Sequence, residues 1–492
     1  MRVYTVPMVD GVHAVPMNPV NPMNTEKAEQ LRKKHPRFTY EGFADALRIR
    51  FRFILDPDML FEPETTIESV DGSRVELLSP GVLEHLAFHL GLMEMMSYWK
   101  AACSPEIIVK AGFLDQKQVA WWMDLVLHGM GEFFYMNDID FKRPDFLQIS
   151  VTDQSGVPST VLRAGPACRY EGHLPQDRSL VLVSGGKDSA FTLQFLREAG
   201  QGFTCLLLNP TQAALAIAAK AGCEKPIIVR RTLDPRLLAL NEAGYLNGHT
   251  PFSALLAFLG VTCAVLFNYG RVVTSNERSS DEGNVQFLGS EVNHQYSKTF
   301  RFEGRFRDYA KAYLAQNVNY FSLLRPLYEL QITRLFTGYP QYFNIFKSCN
   351  QNLQENSWCR RCAKCLSVFT GLYPFLTAEE MTRIFGEDLF ERDDAIPFIQ
   401  ELTGLSRHKP FECVGTVEET MAALYLSIQQ AKARRDPLPP ILRYVEAHLL
   451  PKHPDISGLA QEILSGWSDN HYLPQEYARF LKMRIIEHYE TR

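Results

Sequence analysis

The chain reads as an α/β protein. A parallel-sheet domain sits between an α+β N-terminal domain and a helical C-terminal domain stapled by a cysteine cluster. Three observations predict this. Residues 180–183 are an apolar, mostly branched run that suits a buried strand. The turn Ser184, Gly185, Gly186, Lys187, Asp188, Ser189 follows at once, ahead of an apolar helical spacing over 190–199 that stops at Gly200. The alternation then repeats, with strands at 203–208, 226–231 and 271–274 and a helix at 251–269, which implies a parallel sheet with right-handed crossovers. Beyond residue 366 the pattern is helical, and Cys349, Cys359, Cys362 and Cys365 stand just before it.

The remaining elements follow in order. Four prolines (Pro7, Pro16, Pro19, Pro22) and then a charged patch predict a mobile segment over 1–36. Leu47, Ile49, Phe51 and Phe53 alternate with Arg48, Arg50 and Arg52, the pattern of a strand with one buried face and a solvated arginine row. Runs at 66–70 and 74–78 flank Asp71 and Gly72, which predicts a hairpin. Helices are expected over 81–101 and 115–130, the second capped by Asp115, with Trp121 and Trp122 as packing residues. The stretch 128–135 sets two glycines beside Glu132 and either lines a site or ends a helix. Turn residues over 154–176 mark a linker. The domain plan is therefore a mobile segment at 1–36, an α+β N-terminal domain at 37–175, a parallel-sheet domain with the glycine turn at 176–345 and a cysteine-cluster and helical domain at 346–492.

Bulk properties narrow the function. A length of 492 residues suggests roughly three domains. A net charge of −5 gives no support to nucleic-acid binding as a main role. Ten cysteines in so long a chain do not form a disulfide scaffold. The tight spacing of some of them points to a reducing, cytoplasmic setting. The first 24 residues lack the basic and apolar regions of a secretory signal. The run 251–269 is broken by Ser253, Gly260, Thr262 and Asn268, so a buried helix is expected there and no membrane insertion.

The glycine turn carries the first chemistry. Two glycines let the backbone pass close to a bulky anion, with successive N–H groups and a helix N-terminus facing it. Ser184 and Ser189 add hydroxyl donors and Lys187 a cation. The spacing is too short for GxxxxGK[ST]. It resembles the SGGxDS loop of the ATP pyrophosphatase (PP-loop) superfamily, whose members split ATP between the α and β phosphates and adenylate a substrate oxygen. Ligands of such sheets bind at the carboxyl ends of strands, so Asn276, Glu277 and Arg278, just after strand 271–274, belong with the nucleotide. Asp188 and Glu277 are candidates to hold Mg²⁺ with ATP. Arg278, Lys298 and Arg325 are candidates to neutralise phosphate or carboxylate.

Cys349, Cys359, Cys362 and Cys365 have the spacing C-x9-C-x2-C-x2-C, which can converge on one tetrahedral Zn²⁺, structural because no position stays open. The alternatives are buried free thiols or a redox pair. The spacing resembles the zinc site that follows the PP-loop domain of 7-cyano-7-deazaguanine synthases. Cys103, Cys168, Cys205, Cys223 and Cys263 lie in apolar contexts and read as core.

Taken together, SGGKDS, the stretch 246–251 around His249, SNERSSDEGNV at 275–285, EVNHQYSK at 291–298, YFSLLRPLYEL at 320–330, the cysteine cluster and HKPFECVG at 408–415 resemble one family. It is the UDP-N-acetyl-α-D-muramoyl-L-alanyl-L-glutamate epimerases of peptidoglycan synthesis, and the resemblance spans roughly residues 80 to 420. It implies that ATP adenylates the terminal L-glutamate of UDP-MurNAc-L-Ala-L-Glu, that Cα is epimerised, and that hydrolysis gives the D-glutamate product and AMP. An epimerase needs two acid/base groups, or one mobile group plus solvent. His249, His294, Lys298, Glu412 and Cys413 are the candidates, His294 first. Rival readings are another PP-loop enzyme, such as a 7-cyano-7-deazaguanine synthase or an amidating ligase, and a non-catalytic nucleotide-binding protein.

Overall fold

Burial alternates residue by residue along Arg48–Leu55: Ile49, Phe51, Phe53 and Leu55 are buried while the arginines face solvent. That period of two is the mark of a half-buried strand. It places the N-terminal part on a sheet, as the sequence predicts. The computed structural model describes residues 23–44, 47–68, 73–152, 168–353 and 355–490.

The strands in chain order are β1 (Arg37–Ala44), β2 (Arg48–Leu55), β3 (Met59–Phe61), β4 (Glu64–Glu68), β5 (Glu106–Val109), β6 (Gln148–Val151), β7 (Ser179–Leu182), β8 (Phe203–Leu208), β9 (Ile227–Thr232), β10 (Arg271–Thr274), β11 (Val285–Phe287), β12 (Ser290–Val292) and β13 (Asn319–Ser322). Among the described residues eleven of them form one mixed sheet in the order β13-β10-β7-β8-β9-β4-β2-β1-β5-β6, with β3 on β2. The run from β13 to β9 is all parallel, as the repeated strand and helix pattern requires. Then β4 pairs antiparallel with β9, Thr66 opposite Arg230. The sheet therefore crosses the expected boundary near 175 without a break. The linker expected over 154–176 lies outside the described residues as far as residue 167.

Two expectations are corrected. The mobile segment lies outside the described residues up to residue 22, but Met23–Lys34 is a helix, α1. It is held by Arg32, whose side chain is 4% exposed and donates to the carbonyls of Cys103 and Phe146. A guanidinium can be buried only when its donors are met in this way. The hairpin at 66–78 does not form. Both edges of β4 are taken, by β2 and β9, so no edge is left for the second run, and Val75–Leu77 is a single 3-10 turn. Asp71 and Gly72 lie outside the described residues.

The helices that position the site are α2 (Pro80–Trp99), α3 (Gln116–Gly129), α4 (Gly131–Met136), α5 (Lys187–Glu198), α6 (Gln212–Lys220), α7 (Pro235–Glu242), α8 (Phe252–Phe267), α9 (Phe300–Tyr309), α10 (Glu329–Phe336) and α11 (Ala363–Leu372). Asp115 caps α3 with a full capping box, as expected. Alternate residues of the parallel strands feed two cores. Leu180, Leu206 and Val272 pack with α2 and α8. Val181, Cys205 and Val273 pack with α5, α10 and the C-terminal helices. No helix among the described residues is long and apolar enough to cross a membrane, and 252–267 is a buried helix.

Candidate active site

Three adjacent parallel strands, β7, β10 and β13, deliver the first cluster from their carboxyl ends, where open α/β sheets hold ligands. After β7 the chain turns through Ser184 to Gly186 into α5, whose N-cap is Gly186. The backbone N–H of Ser184 donates to Ser189 Oγ at 2.9 Å, closing the turn. Gly185 must be glycine on steric grounds: a Cβ there would stand 2.9 Å from Ala213 Cβ and 3.2 Å from the Lys347 carbonyl oxygen. That same carbonyl neighbour, through the Lys347 N–H to Gly185 O bond of 2.7 Å, ties the turn to the segment leading into the cysteines. A Cβ on Gly186 would come 3.0 Å from Ser348 Oγ.

Lys187 is buried, and its Nζ lies 2.5 Å from Asp188 and 2.9 Å from Glu329 at the start of α10. Burial opposes its charge, but those two carboxylates outweigh it and hold the ammonium above its ordinary range. Burial and the neighbouring Glu329 raise the Asp188 carboxyl. Burial likewise raises Glu277, against the pull of Lys298. Carboxylate oxygens of Asp188, Glu277 and Glu329 lie within 4.8 Å of one another. An all-oxygen donor set of this kind suits a hard divalent cation such as Mg²⁺. Glu329 was not singled out from the sequence. Its signal was a carboxylate opening an apolar helical run just past a strand. Asn276 follows β10, with its side chain on Thr274 Oγ1 at 3.3 Å and its carbonyl held by Ser322. The Arg278 guanidinium lies 4.2 Å over the Tyr328 ring.

One expectation for this region fails. Arg325 does not reach out toward a ligand. It is 1% exposed, pairs with Glu303 at 3.0 Å, and donates to the carbonyls of Glu277 and Lys298. Its role is to brace the two loops that carry the site.

The second cluster gathers residues from four stretches. Glu132, in the first turn of α4, is fully buried. Its Oε2 lies 2.5 Å from His294 Nδ1 and 3.6 Å from His249 Nδ1, and the two imidazole rings are 4.4 Å apart. His294 is held by its backbone N–H on Asn284 Oδ1 at 2.8 Å, and Cys413 lies close enough to favour its charged form. Lys298 Nζ stands 3.0 Å from Cys413 Sγ. Glu132 and His249 thus group around His294 Nδ1, and Cys413 and Lys298 form the neighbouring pair.

The charges follow from this order. Burial opposes protonation of His294, but Glu132 and Cys413 carry it up to about 10. Burial opposes ionisation of Cys413, but Lys298 and His294 bring it down to about 5. Burial and then the neighbouring His294, Lys100 and Lys298 cations push His249 well below its ordinary value, so it is neutral. Burial works against the Lys298 ammonium, but Cys413 and Glu277 hold it above its ordinary range. Glu132, His249 and His294 have the donor types of a metal site. Two ligands of one tetrahedral ion with 2.0–2.1 Å bonds sit about 3.3 Å apart, so the 2.5 Å contact is a hydrogen bond instead. Glu412 turns the other way. Its carboxylate accepts from the Lys364 N–H at 2.6 Å and from Asn350 at 3.3 Å, and burial pushes it up to about 7. Glu132 was noticed in the sequence only as one of two open readings, and nothing there paired it with a histidine.

The sulfurs of Cys349, Cys359, Cys362 and Cys365 also lie within 4.8 Å of one another, with Cys359 and Cys365 at 3.7 Å. Four thiolates at 2.3 Å from one Zn²⁺ would be about 3.8 Å apart. Backbone N–H groups of Asn352, Cys359, Cys362 and Cys365 point at sulfurs of the set, the second-sphere pattern that stabilises thiolates. The residues fit zinc.

Residues 25–323 match the MurL N-terminal domain and residues 345–453 the MurL C-terminal domain. The chain belongs to the MurL family. The UDP-N-acetyl-α-D-muramoyl-L-alanyl-L-glutamate epimerase of Micromonospora sp. is 36% identical over 391 residues, covering 78% of this chain and 83% of that protein. The protein of the same name from Salinispora tropica is 36% identical over 347 residues, covering 70% and 73%. That from Xanthomonas oryzae pv. oryzae is 35% identical over 354 residues, covering 70% and 75%. The family resemblance read from the motifs is borne out, and these MurL relatives are epimerases by name, that is, isomerases.

Proposed function

We propose that this chain is an ATP-dependent epimerase that converts UDP-MurNAc-L-Ala-L-Glu to UDP-MurNAc-L-Ala-D-Glu in the making of peptidoglycan precursor, with release of AMP and pyrophosphate. The observation that carries this reading is the reach of Lys298. Its ammonium touches Cys413 and acts on Glu277, so a group activated at the first cluster is within reach of proton transfer at the second.

The chemistry requires both clusters. A free α-carboxylate is already negative, so loss of the adjacent Cα proton would pile a second charge on it. When a carboxylate oxygen attacks the α-phosphorus and pyrophosphate leaves, the mixed anhydride with AMP has lost that charge and its enolate can delocalise. The PP-loop reading assigns Ser184, Gly185, Gly186, Lys187, Asp188 and Ser189 to the phosphates. Asp188, Glu277 and Glu329 would hold Mg²⁺, which supplies positive charge at the phosphates. Neutral His249 is the base for the Cα proton. Lys298, beside Cys413, is the acid that returns one to the other face. Attack of water on the acyl carbon then expels AMP. Cys349, Cys359, Cys362 and Cys365 would hold a structural zinc.

The test is chiral analysis of glutamate after incubation with UDP-MurNAc-L-Ala-L-Glu, ATP and Mg²⁺, with pyrophosphate measured alongside. D-Glutamate that appears only when ATP is present supports the reading. Pyrophosphate without D-glutamate turns it toward another adenylating enzyme, and neither product overturns it.

A further inference from the structure

We propose that Cys413 is a nucleophile that takes the activated glutamyl group from AMP as an enzyme-bound thioester, so that the Cα proton moves while the dipeptide is held covalently. This rests on the proposed function and adds a step to it.

The geometry is that of an activated nucleophile: a sulfur 3.0 Å from the Lys298 ammonium and under the charge of an imidazole that a buried carboxylate holds. Glu132 at 2.5 Å from His294 Nδ1 fixes the ring, and the His294 charge in turn favours the Cys413 thiolate. The same arrangement of thiol, imidazole and orienting acid serves acyl transfer on unrelated folds. Exposure has the right gradient. Glu132 is 0% exposed at the back and His294 9%, while Cys413 is half-buried at the front.

A role as the Cα base fits Cys413 less well. Lys298 at 3.0 Å and the His294 imidazolium both stabilise the thiolate, and that makes it a weak base. Nucleophilicity falls much less steeply than basicity, with a Brønsted slope of about 0.4–0.5, so the same two cations leave a competent nucleophile. His249 carries no such burden and stays available for the proton.

The step balances without a further reactant. The Cys413 thiolate attacks the acyl carbon of the mixed anhydride, the carbon–oxygen bond to phosphorus breaks, and AMP leaves with the electron pair. The thioester Cα proton is acidic because the enolate delocalises into the thioester carbonyl. After His249 takes that proton and Lys298 returns one to the opposite face, water attacks the acyl carbon and gives a proton to the now neutral Lys298 amine, while His249 releases its proton to solvent. The carbon–sulfur bond then breaks to restore the thiolate.

The experiment uses the full chain with UDP-MurNAc-L-Ala-L-Glu, ATP and Mg²⁺, quenched in acid within the first turnover. Intact-mass and peptide analysis should find the substrate acyl group on the peptide bearing Cys413, labile to hydroxylamine. AMP should appear in a burst close to one per enzyme. Cys413→Ala should keep ATP–pyrophosphate exchange, which also reports its folding, yet lose the adduct, the burst and at least 10²-fold of D-glutamate formation. Cys413→Ser, nearer in shape, should accumulate the acyl group as a slowly hydrolysed oxygen ester or show no adduct at all with the same loss of product. Glu132→Gln should move the pH profile of Cys413 alkylation to higher pH. D-Glutamate formed by wild type with neither adduct nor burst overturns the thioester alone, as does wild-type product formation by folded Cys413→Ala. No D-glutamate from wild type overturns the function, and the thioester with it.

Discussion

The glycine turn at 184–189 and the Glu132 cluster differ in how they are built. Ser184 to Ser189 are six successive residues in one turn, and the phosphate binding proposed for them falls largely to backbone N–H groups and to glycines that keep side chains out of the way. Glu132, His249, His294 with Lys298, and Cys413 come from four separate stretches of the chain, and the chemistry proposed for them falls to side-chain atoms, Glu132 lying 2.5 and 3.6 Å from the two histidines and Lys298 3.0 Å from Cys413. Backbone chemistry needs a local sequence. Side-chain chemistry needs a fold to assemble it. The two should therefore fail in different ways when altered.

Asp188→Ala should give the largest loss. It removes a carboxylate of the first cluster and a partner of Lys187, so pyrophosphate release and deuterium entry at Cα from D₂O should vanish together, each by more than about 10³-fold. Deuterium exchange that survives without pyrophosphate release would break the proposed order of steps. Zinc removal should come next. About one zinc per chain is expected by metal analysis, and its chelation should lower the melting temperature and expose the C-terminal helices to protease. Active protein without zinc would count against the metal assignment. His249→Gln should separate the two clusters. It should keep ATP–pyrophosphate exchange and slow deuterium entry by about 10²–10⁴-fold, and equal loss of both would move His249 to substrate binding.

The pH response should be smaller and two-sided. The His294 value is carried up to about 10, so the stability it contributes is full below its ordinary value of about 6.5 and is lost as pH rises through about 10. The Cys413 value is brought down to about 5, so its contribution is full above about 8.5 and is lost as pH falls through about 5. Turnover should be flat between roughly pH 6 and 9, falling about tenfold per unit outside the limbs at about 5 and about 10. A single limb near neutrality would show that the pair is not required. Glu412→Gln should be the mildest change. Its carboxylate faces Lys364 N–H and Asn350 rather than His294, so a fall of only a few-fold is expected, and a loss as large as that of His249→Gln would restore it to the proton-transfer group.

How much was legible follows the same divide. The loop, the strand before it and the helix after it could be read directly, because all three are written in one stretch of periodic sequence. His249, His294, Lys298 and Cys413 were legible through motifs, but not their grouping, which depends on where α4 brings Glu132. Glu132 and Glu329 are single carboxylates in apolar helices, and nothing local separates a ligand from a cap. Arg325 shows the converse. Its sequence context beside phosphate-binding candidates suggested a ligand cation, yet Glu303 on α9 holds it inside. The pairing of β4 with β9 was also beyond reach, since period-two burial names a strand but not its neighbour.

That pairing also sets a timetable. Residues 64–68 take as partners residues 228–232, about 160 positions later in the chain. At the usual 5–20 residues per second of synthesis, roughly ten to thirty seconds separate the emergence of β4 from that of β9. Through that interval β4 exposes the edge that β9 will cover, and an uncovered strand edge is a template for other chains. A strand made early in this chain is thus sealed late.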